Sequence, residues 1–271
     1  MQTPFTDVKG VPSLSQPASV ERPRRPPSRR DRNRAATTSE IKTTARRMLV
    51  EHGAHALSLR GIAREMGITA PAIYRYFDSH ATLVEALVGD LYDELCDEME
   101  AAQAEAIGSE SAVDEQRAGN VERRLLASAR EFRAWSIGHP AEFALVFGAP
   151  IPGVDLLDDD SPACAGGRRF GQVFAALFVE LWQRNPFPVP SPESLDPRLV
   201  PQLEAYRDDL GLDLPVPAVY VFLSCWTRLY GMVAMEAFGH LSFAYNNDAE
   251  PAFMTELADL ANTLGMKHAV P

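Results

Sequence analysis

Residues Ser58–His80, SLRGIAREMGITAPAIYRYFDSH, put two short amphipathic helices on either side of a turn too tight for anything but a helix-turn-helix. Leu59, Ile62, Ala63 and Met66 recur at i, i+3, i+4 and i+7 and make one apolar stripe. Ser58 stands just ahead of it, where a side-chain oxygen can accept from the first free N–H groups. Gly67 ends the helix, since glycine enters the left-handed backbone of a sharp turn without penalty, and Ile68 plugs the turn. Thr69 is placed to cap a second helix over Ala70–Tyr76, in whose first turn Pro71 forfeits no hydrogen bond. An earlier helix, Ser39–His52, offers Ile41, Ala45, Met48 and Leu49 as a bracing face and closes at Gly53.

The string I-A-x-x-M-G-I-x-x-x-x-I-Y-R-Y-F-x-S, Ile62–Ser79, resembles the N-terminal domain of the TetR family of bacterial transcriptional regulators. The resemblance implies that the short helix after the turn enters the major groove of double-stranded DNA and that the helix before it crosses the backbone. By that match Thr69, Ala70, Ala72, Tyr74 and Arg75 face DNA, with Tyr74 on phosphate, and Ser58 and Arg60 support them. His80 stands where the family usually carries a phosphate-binding lysine, and a neutral imidazole attracts phosphate less than an ammonium does. Ile62, Ala63, Ile73 and Phe77 are expected in the core, and Tyr76 is open between packing and DNA contact.

The net charge of −11 argues against a nucleic-acid partner only until it is divided along the chain. Residues 1–80 hold 14 Lys+Arg against 7 Asp+Glu, whereas residues 81–271 hold 12 against 30. A basic N-terminal part on an acidic remainder suits a DNA reader with a separate regulatory domain, because phosphate binding needs only a local positive face. Cys96, Cys164 and Cys225 are odd in number and lack metal-ligand spacing, which fits a reducing bacterial cytoplasm, with no metal site and no cofactor implied. No hydrophobic signal core opens the sequence. The longest apolar stretch, Val216–Trp226, is too short to span a bilayer, so no membrane is expected as a partner.

Three parts follow from this organisation: an Arg/Pro-rich arm over residues 1–36, a helix-turn-helix domain over 37–81, and a helical ligand-binding and dimerisation domain over 82–271. The arm carries no helical or strand period and reads as disordered. Its Arg24, Arg25, Arg29, Arg30, Arg32 and Arg34 either reach along DNA, into the minor groove for example, or form a solvated basic tail. Asp78 and Ser79 cap a long helix on which Leu83, Leu87, Leu91, Leu95 and Met99 form a row, and Gly108–Gly119 reads as a loop. Helical faces recur at Val121–Trp135, Ala141–Phe147, Phe170–Trp182, Leu199–Asp209, Pro215–Phe238 and Phe253–Leu264, with a loop over 148–163. No sustained period of two competes, so the chain reads as all-α: a three-helix helix-turn-helix domain followed by a larger helical domain.

Phe132–Gly148 and Trp226–Leu241 resemble a TetR subgroup whose C-terminal domain is named for a Trp-His-Gly signature. Tyr230 stands where that signature has histidine, ahead of Gly231, and can supply packing plus one hydrogen bond. The resemblance implies a ligand enclosed between helices, a homodimer formed by the last two long helices, and anchors at Phe238 and Phe243. Candidates for the pocket wall are Phe132, Trp135, Phe143, Phe147, Phe174, Phe178, Trp182, Trp226 and Tyr230, each of which could instead be core. Such walls favour a hydrophobic small-molecule effector. His139 is expected to cap or pack at a helix break.

The expected function is a sequence-specific regulator, released as a repressor from a palindromic operator when the effector binds. The alternative is a DNA-binding regulator with no effector, controlled by expression or a protein partner. An enzyme is not expected: there is no G-x-S-x-G, H-E-x-x-H, Walker or dinucleotide motif.

Overall fold

A computed structural model describes residues 28–107, 114–151, 153–155, 158, 160–246 and 248–266, with side chains described except over 114–119. Eleven α-helices appear among the described residues: α1 (Arg29–His52), α2 (Leu59–Glu65), α3 (Ala70–Ile73), α4 (His80–Ile107), α5 (Asp114–Gly138), α6 (Pro140–Phe147), α7 (Pro162–Arg184), α8 (Val200–Asp209), α9 (Val216–Ala237), α10 (Ser242–Tyr245) and α11 (Glu250–Thr263). The all-helical class read from the periodicity stands.

The N-terminal unit is built as its sequence dictates. Ile41, Ala45 and Leu49 of α1 close on Leu59, Ile62, Ala63, Ile73 and Phe77, all under 7% exposed. Ser58 caps α2 by accepting from the Gly61 amide at 3.1 Å. Gly67, at φ +67°, turns the chain between α2 and α3 in a region L side chains rarely enter. Ser79 caps α4: its hydroxyl accepts from the Thr82 amide at 3.1 Å, and its own amide donates to Thr82 Oγ1 at 3.2 Å.

Helix α4 joins the two halves. Its row Leu83, Leu87, Leu91, Leu95 and Met99 is buried to 2% or less throughout, first under α1, then between α5 and α7. The approach of α7 is close enough that a Cβ on Gly166 would lie 2.7 Å from Tyr92 Cβ. Helix α9 has the length and mean hydropathy (1.3) of a membrane-crossing helix. It behaves as a core helix, with Ala218, Val219, Phe222, Cys225, Leu229 and Val233 buried and Arg228 paired with Glu256 of α11.

Several boundaries depart from the sequence reading. Helix α1 starts ten residues before Ser39, because Ser28 and Asp31 form a reciprocal capping box that needs no apolar period. Residues 29–36 are therefore helical, not a disordered arm, while Arg24 and Arg25 lie outside the described residues. Helix α5 already runs from Asp114, inside the stretch read as a loop, whose Gly108 also lies outside the described residues. Helix α7 begins at Pro162, inside the stretch read as loop, where Ser161 Oγ accepts from the Cys164 amide at 3.0 Å; Gly166 of α7 and Gly89 of α4 let the two helices approach. Helix α3 stops at Ile73 rather than Tyr76, since the Arg75 and Tyr76 amides donate three residues back, to Ala72 and Ile73.

Candidate nucleic-acid interface and regulatory cavity

Ser58, Arg60, Tyr74 and His80 line one open groove of about 370 Å³ between the start of α2 and the start of α4. Tyr74 is 43% exposed at the C-terminal end of α3, a high value for an aromatic side chain beside a closed core. Thr69 occupies the cap position of α3, but its hydroxyl makes no capping bond and stays exposed. Ala70 and Ala72 are half-buried on that short helix, small enough for close approach of a surface, and Arg75 is exposed just beyond them. Arg60, Arg64 and Arg75 form no ion pair among the described residues, so their charges are available to an external anion. Arg46 and Arg47 of α1 are engaged: Arg47 by Glu51 and Glu65, Arg46 by Glu94 and Glu142.

Tyr76 packs against the core and also lies under Arg34, whose guanidinium carbon is 5.3 Å from the ring centroid. His139, half-buried at the break between α5 and α6, stacks on Trp135 at 5.2 Å and bonds to the Trp135 carbonyl through Nδ1 at 3.0 Å.

The aromatic candidates of the C-terminal half do not enclose one open chamber. Phe132, Phe143, Phe147, Phe174, Trp226 and Tyr230 stack on one another and on Tyr92 and Phe170, centroid to centroid at 5.1–6.4 Å. Phe132, Trp135 and Phe143 are buried to 1% or less. Phe174, Phe178 and Trp226 border an entirely apolar space of about 40 Å³ between α5, α7, α9 and α11, too small for more than a few waters. Trp182 stands apart, edge-on to Phe187 at 5.0 Å. The Tyr230 hydroxyl donates to the Phe147 carbonyl at 2.7 Å, the packing plus single bond expected of a tyrosine at this position.

The larger opening lies beside this cluster and is lined by none of the nine candidates. A cleft of about 540 Å³ runs between Tyr92 of α4, residues 148–151, 154 and 155, the first turns of α7 and the end of α8. Leu145, Ile151, Val154, Tyr206 and Leu210 give it apolar walls, and Asp155 and Arg168 supply the charged edge. Burial pushes the Tyr92 hydroxyl up to about 12, so it stays protonated and able to donate. The apolar stripes of the sequence point to the core and give no sign of this cleft. The available signal was the clustering of Pro150, Gly153, Gly167 and Gly171, which reads equally as loop punctuation.

One ion-pair cluster joins the two parts of the molecule. Arg46 of α1 donates through Nη1 and Nη2 to Glu94 of α4 and through Nε to Glu142 of α6 at 3.0 Å, while Trp135 Nε1 donates to Glu94 at 3.2 Å. The Arg46 hydrogen bonds hold the Glu94 carboxyl below its ordinary range, against the opposing effect of burial. Lys42, one turn earlier, pairs with Asp90.

Residues 41–87 match the family described as bacterial regulatory proteins, tetR family, and residues 125–260 match the tetracyclin repressor-like C-terminal domain. The HTH-type transcriptional regulators Mb1846 of Mycobacterium bovis and Rv1816 of Mycobacterium tuberculosis are each 29% identical over 204 residues, covering 74% of this chain and 80% of theirs. The crystal structure of a regulatory protein, SCO4313, superposes with a TM-score of 0.65 at 28% identity, covering 87% of this chain and all of that one. A protein of unknown function from Rhodococcus sp. RHA1 shares the fold, with a TM-score of 0.51 at 23% identity over 83% of this chain and 95% of its own. With both halves matched, the chain belongs to the TetR family of helix-turn-helix transcriptional regulators, DNA-binding proteins rather than enzymes.

Proposed function

We propose that this protein is a homodimeric repressor of the bacterial cytoplasm that leaves a palindromic operator when a hydrophobic small molecule occupies the regulatory domain. DNA contact is assigned to Ser58, Arg60, Thr69, Ala70, Ala72, Tyr74, Arg75 and His80, and the observation that carries it is the groove joining Ser58, Arg60, Tyr74 and His80. The direct test is selection of sites from random duplex DNA with the full chain. A palindromic motif supports the reading, and enrichment that vanishes as salt rises sinks it.

The effector site is assigned to the 540 Å³ cleft, a volume within the range of small-molecule pockets, with Tyr92 as the lining residue that links it to Phe147 of the aromatic cluster, edge-on at 5.6 Å. Helix α6 is the strut between cleft and DNA reader. Its last residue, Phe147, adjoins the cleft segment, and Glu142 in its first turn is held by Arg46 of α1. A ligand that moves residues 148–151 shifts α6 and thereby α1, which biases two states of the dimer. The Trp226, Tyr230 and Gly231 positions support membership of the Trp-His-Gly subgroup, with tyrosine in the histidine's place.

The dimer is assigned to the outer faces of α9 and α11. Tyr220, Met235 and Phe238 are 37–44% exposed on and just after α9, Phe243 is 88% exposed, and a Cβ at Gly231 would meet nothing within 4 Å. Two-fold symmetry doubles the base pairs that one short recognition helix can read.

A second reading, a regulator with no effector, is favoured by the tightly stacked aromatic cluster. A thermal-shift screen with apolar and amphipathic compounds separates the two, since binding to the folded state raises the melting temperature.

A further inference from the structure

We infer that the first three turns of α1 form a rigid phosphate-binding rail, acting through Arg30 and Arg34, for DNA beside the base pairs that α3 reads. The inference rests on α2 and α3 being the DNA reader. Sequence composition points to a flexible arm at these positions, and the structure replaces it with a helix of fixed direction.

The helix is fixed at its start. The Ser28 hydroxyl accepts from the Asp31 amide at 3.2 Å, and the Ser28 amide donates to the Asp31 carboxylate at 3.1 Å. The Ser28 hydroxyl also donates to that carboxylate at 2.6 Å, and this bond together with the one from the Ser28 amide holds the Asp31 carboxyl below its ordinary range, so one of the two acidic side chains between residues 28 and 40 is committed to the cap. Residues 28–40 bury nothing: every one is exposed except Thr37 and Thr38, which are half-buried, and the core begins at Ile41. A helical projection that adds no buried residue to the core contributes its surface, and this surface is basic.

The charges on α1 change character along its length. Lys42, Arg46 and Arg47 are each neutralised by carboxylates of the fold. Arg30 and Arg34 have no carboxylate partner among the described residues. Spaced i and i+4, they share one side of the helix. Arg34 shows where that side faces, because its guanidinium lies over the ring of Tyr76, two residues after Tyr74 and next to Arg75. The ring contact aims Arg34 while leaving its N–H groups unspent. Arg30 repeats the placement one turn further out.

The rod also limits what it can bind. A helix with its side chains is about 10 Å across and the minor groove of B-DNA is about 6 Å wide, so α1 cannot enter that groove as an extended arm does. Its arginines meet phosphate oxygens at the groove rim. Such contacts raise affinity for any duplex and carry no base information.

The test uses the full chain, fluorescence anisotropy and a random-sequence duplex of about 40 base pairs, titrated at several KCl concentrations. Arg30→Gln/Arg34→Gln keeps helix propensity while removing both charges. The slope of log affinity against log salt is expected to fall in magnitude by roughly 1 to 2 per bound protomer, since each phosphate contact accounts for about 0.9. Tyr76→Phe, which keeps the ring, retains parental affinity, whereas Tyr76→Leu loses several-fold. The base preferences recovered by site selection are unchanged in the double variant. A parental slope in that variant, or altered base preferences, overturns the rail. Tyr74→Ala run alongside tells the two failures apart. If Tyr74→Ala loses binding while the glutamine variant keeps its slope, only the rail falls; if Tyr74→Ala also binds as the parent does, the placement of the DNA reader falls with it.

Discussion

Arg46 of α1 and Glu94 of α4 face each other in a two-pronged contact, with Nη2 2.8 Å from Oε1, and the same guanidinium reaches Glu142 of α6 through Nε. Three helices thus meet on one cation: α1 of the helix-turn-helix unit, α4, whose Tyr92 lines the cleft, and α6, whose end leads into it. Glu142 is almost fully buried, its side chain 5% exposed, so loss of Arg46 strands a carboxylate where water reaches it poorly. Arg46→Ala is expected to cost about 2–3 kcal/mol in a urea titration. It is also expected to weaken the response of operator binding to an effector more than operator binding itself. Equal losses in both would mean the contact holds the fold without transmitting anything.

The same pair sets a pH dependence. Hydrogen bonding from Arg46 depresses the Glu94 carboxyl from its ordinary value of 4.5. A depressed acid contributes stability that is fully present above its unfolded value and is lost as pH falls through the folded one. The stability gap between the parent and Glu94→Gln should therefore be widest near neutral pH and close progressively below about 4.5. Parallel urea midpoints down to acid pH check this, and a constant gap refutes it.

Tyr74→Ala should weaken binding to every duplex by a similar factor, because a phosphate contact carries no sequence. Arg75→Ala should relax preference at particular base pairs, at a cost of about 1–3 kcal/mol on the selected site. Site selection with each variant measures both. If both bind the selected site as tightly as the parent, recognition lies elsewhere on the domain.

Two glycines of α7 should respond in opposite ways. A Cβ at Gly166 would stand 2.7 Å from Tyr92 Cβ, so Gly166→Ala is expected to cost about 1–3 kcal/mol of stability. A Cβ at Gly171 meets nothing within 4 Å, and the residue lines the cleft. Gly171→Leu should leave stability equal or higher, keep DNA binding, and abolish effector-induced thermal shifts. Shifts that survive it would move the effector out of this cleft.

Phe243 is 88% exposed on α10, which follows the α9 face assigned to the dimer. Phe238→Glu/Phe243→Glu should convert a dimer to monomer in sedimentation without lowering helical content. An unchanged sedimentation coefficient would refute that interface.

The amino-acid sequence alone determined whatever depends on neighbours along the chain. The 3.6-residue rows on α4, α7 and α11, the caps at Ser58 and Ser79, and the turn at Gly67 are local relations of a helix to its own side chains, and each appears where the periodicity put it. Helix α1 shows the limit of that signal: its exposed first turns bury nothing and so have no apolar period, and the helix is held there by one capping box. The stripes likewise say which residues turn inward, but not whether they meet a ligand or one another. Phe132, Phe143, Trp226 and Tyr230 come from three helices whose relative angles no local pattern encodes, and in three dimensions they fill the space between themselves. The cleft lies where a loop and small residues fail to fill it, and Arg46 meets Glu94 and Glu142 across separations of 48 and 96 residues. Volume and long-range pairing arise only when distant surfaces close on each other, which is why tertiary packing alone decided them.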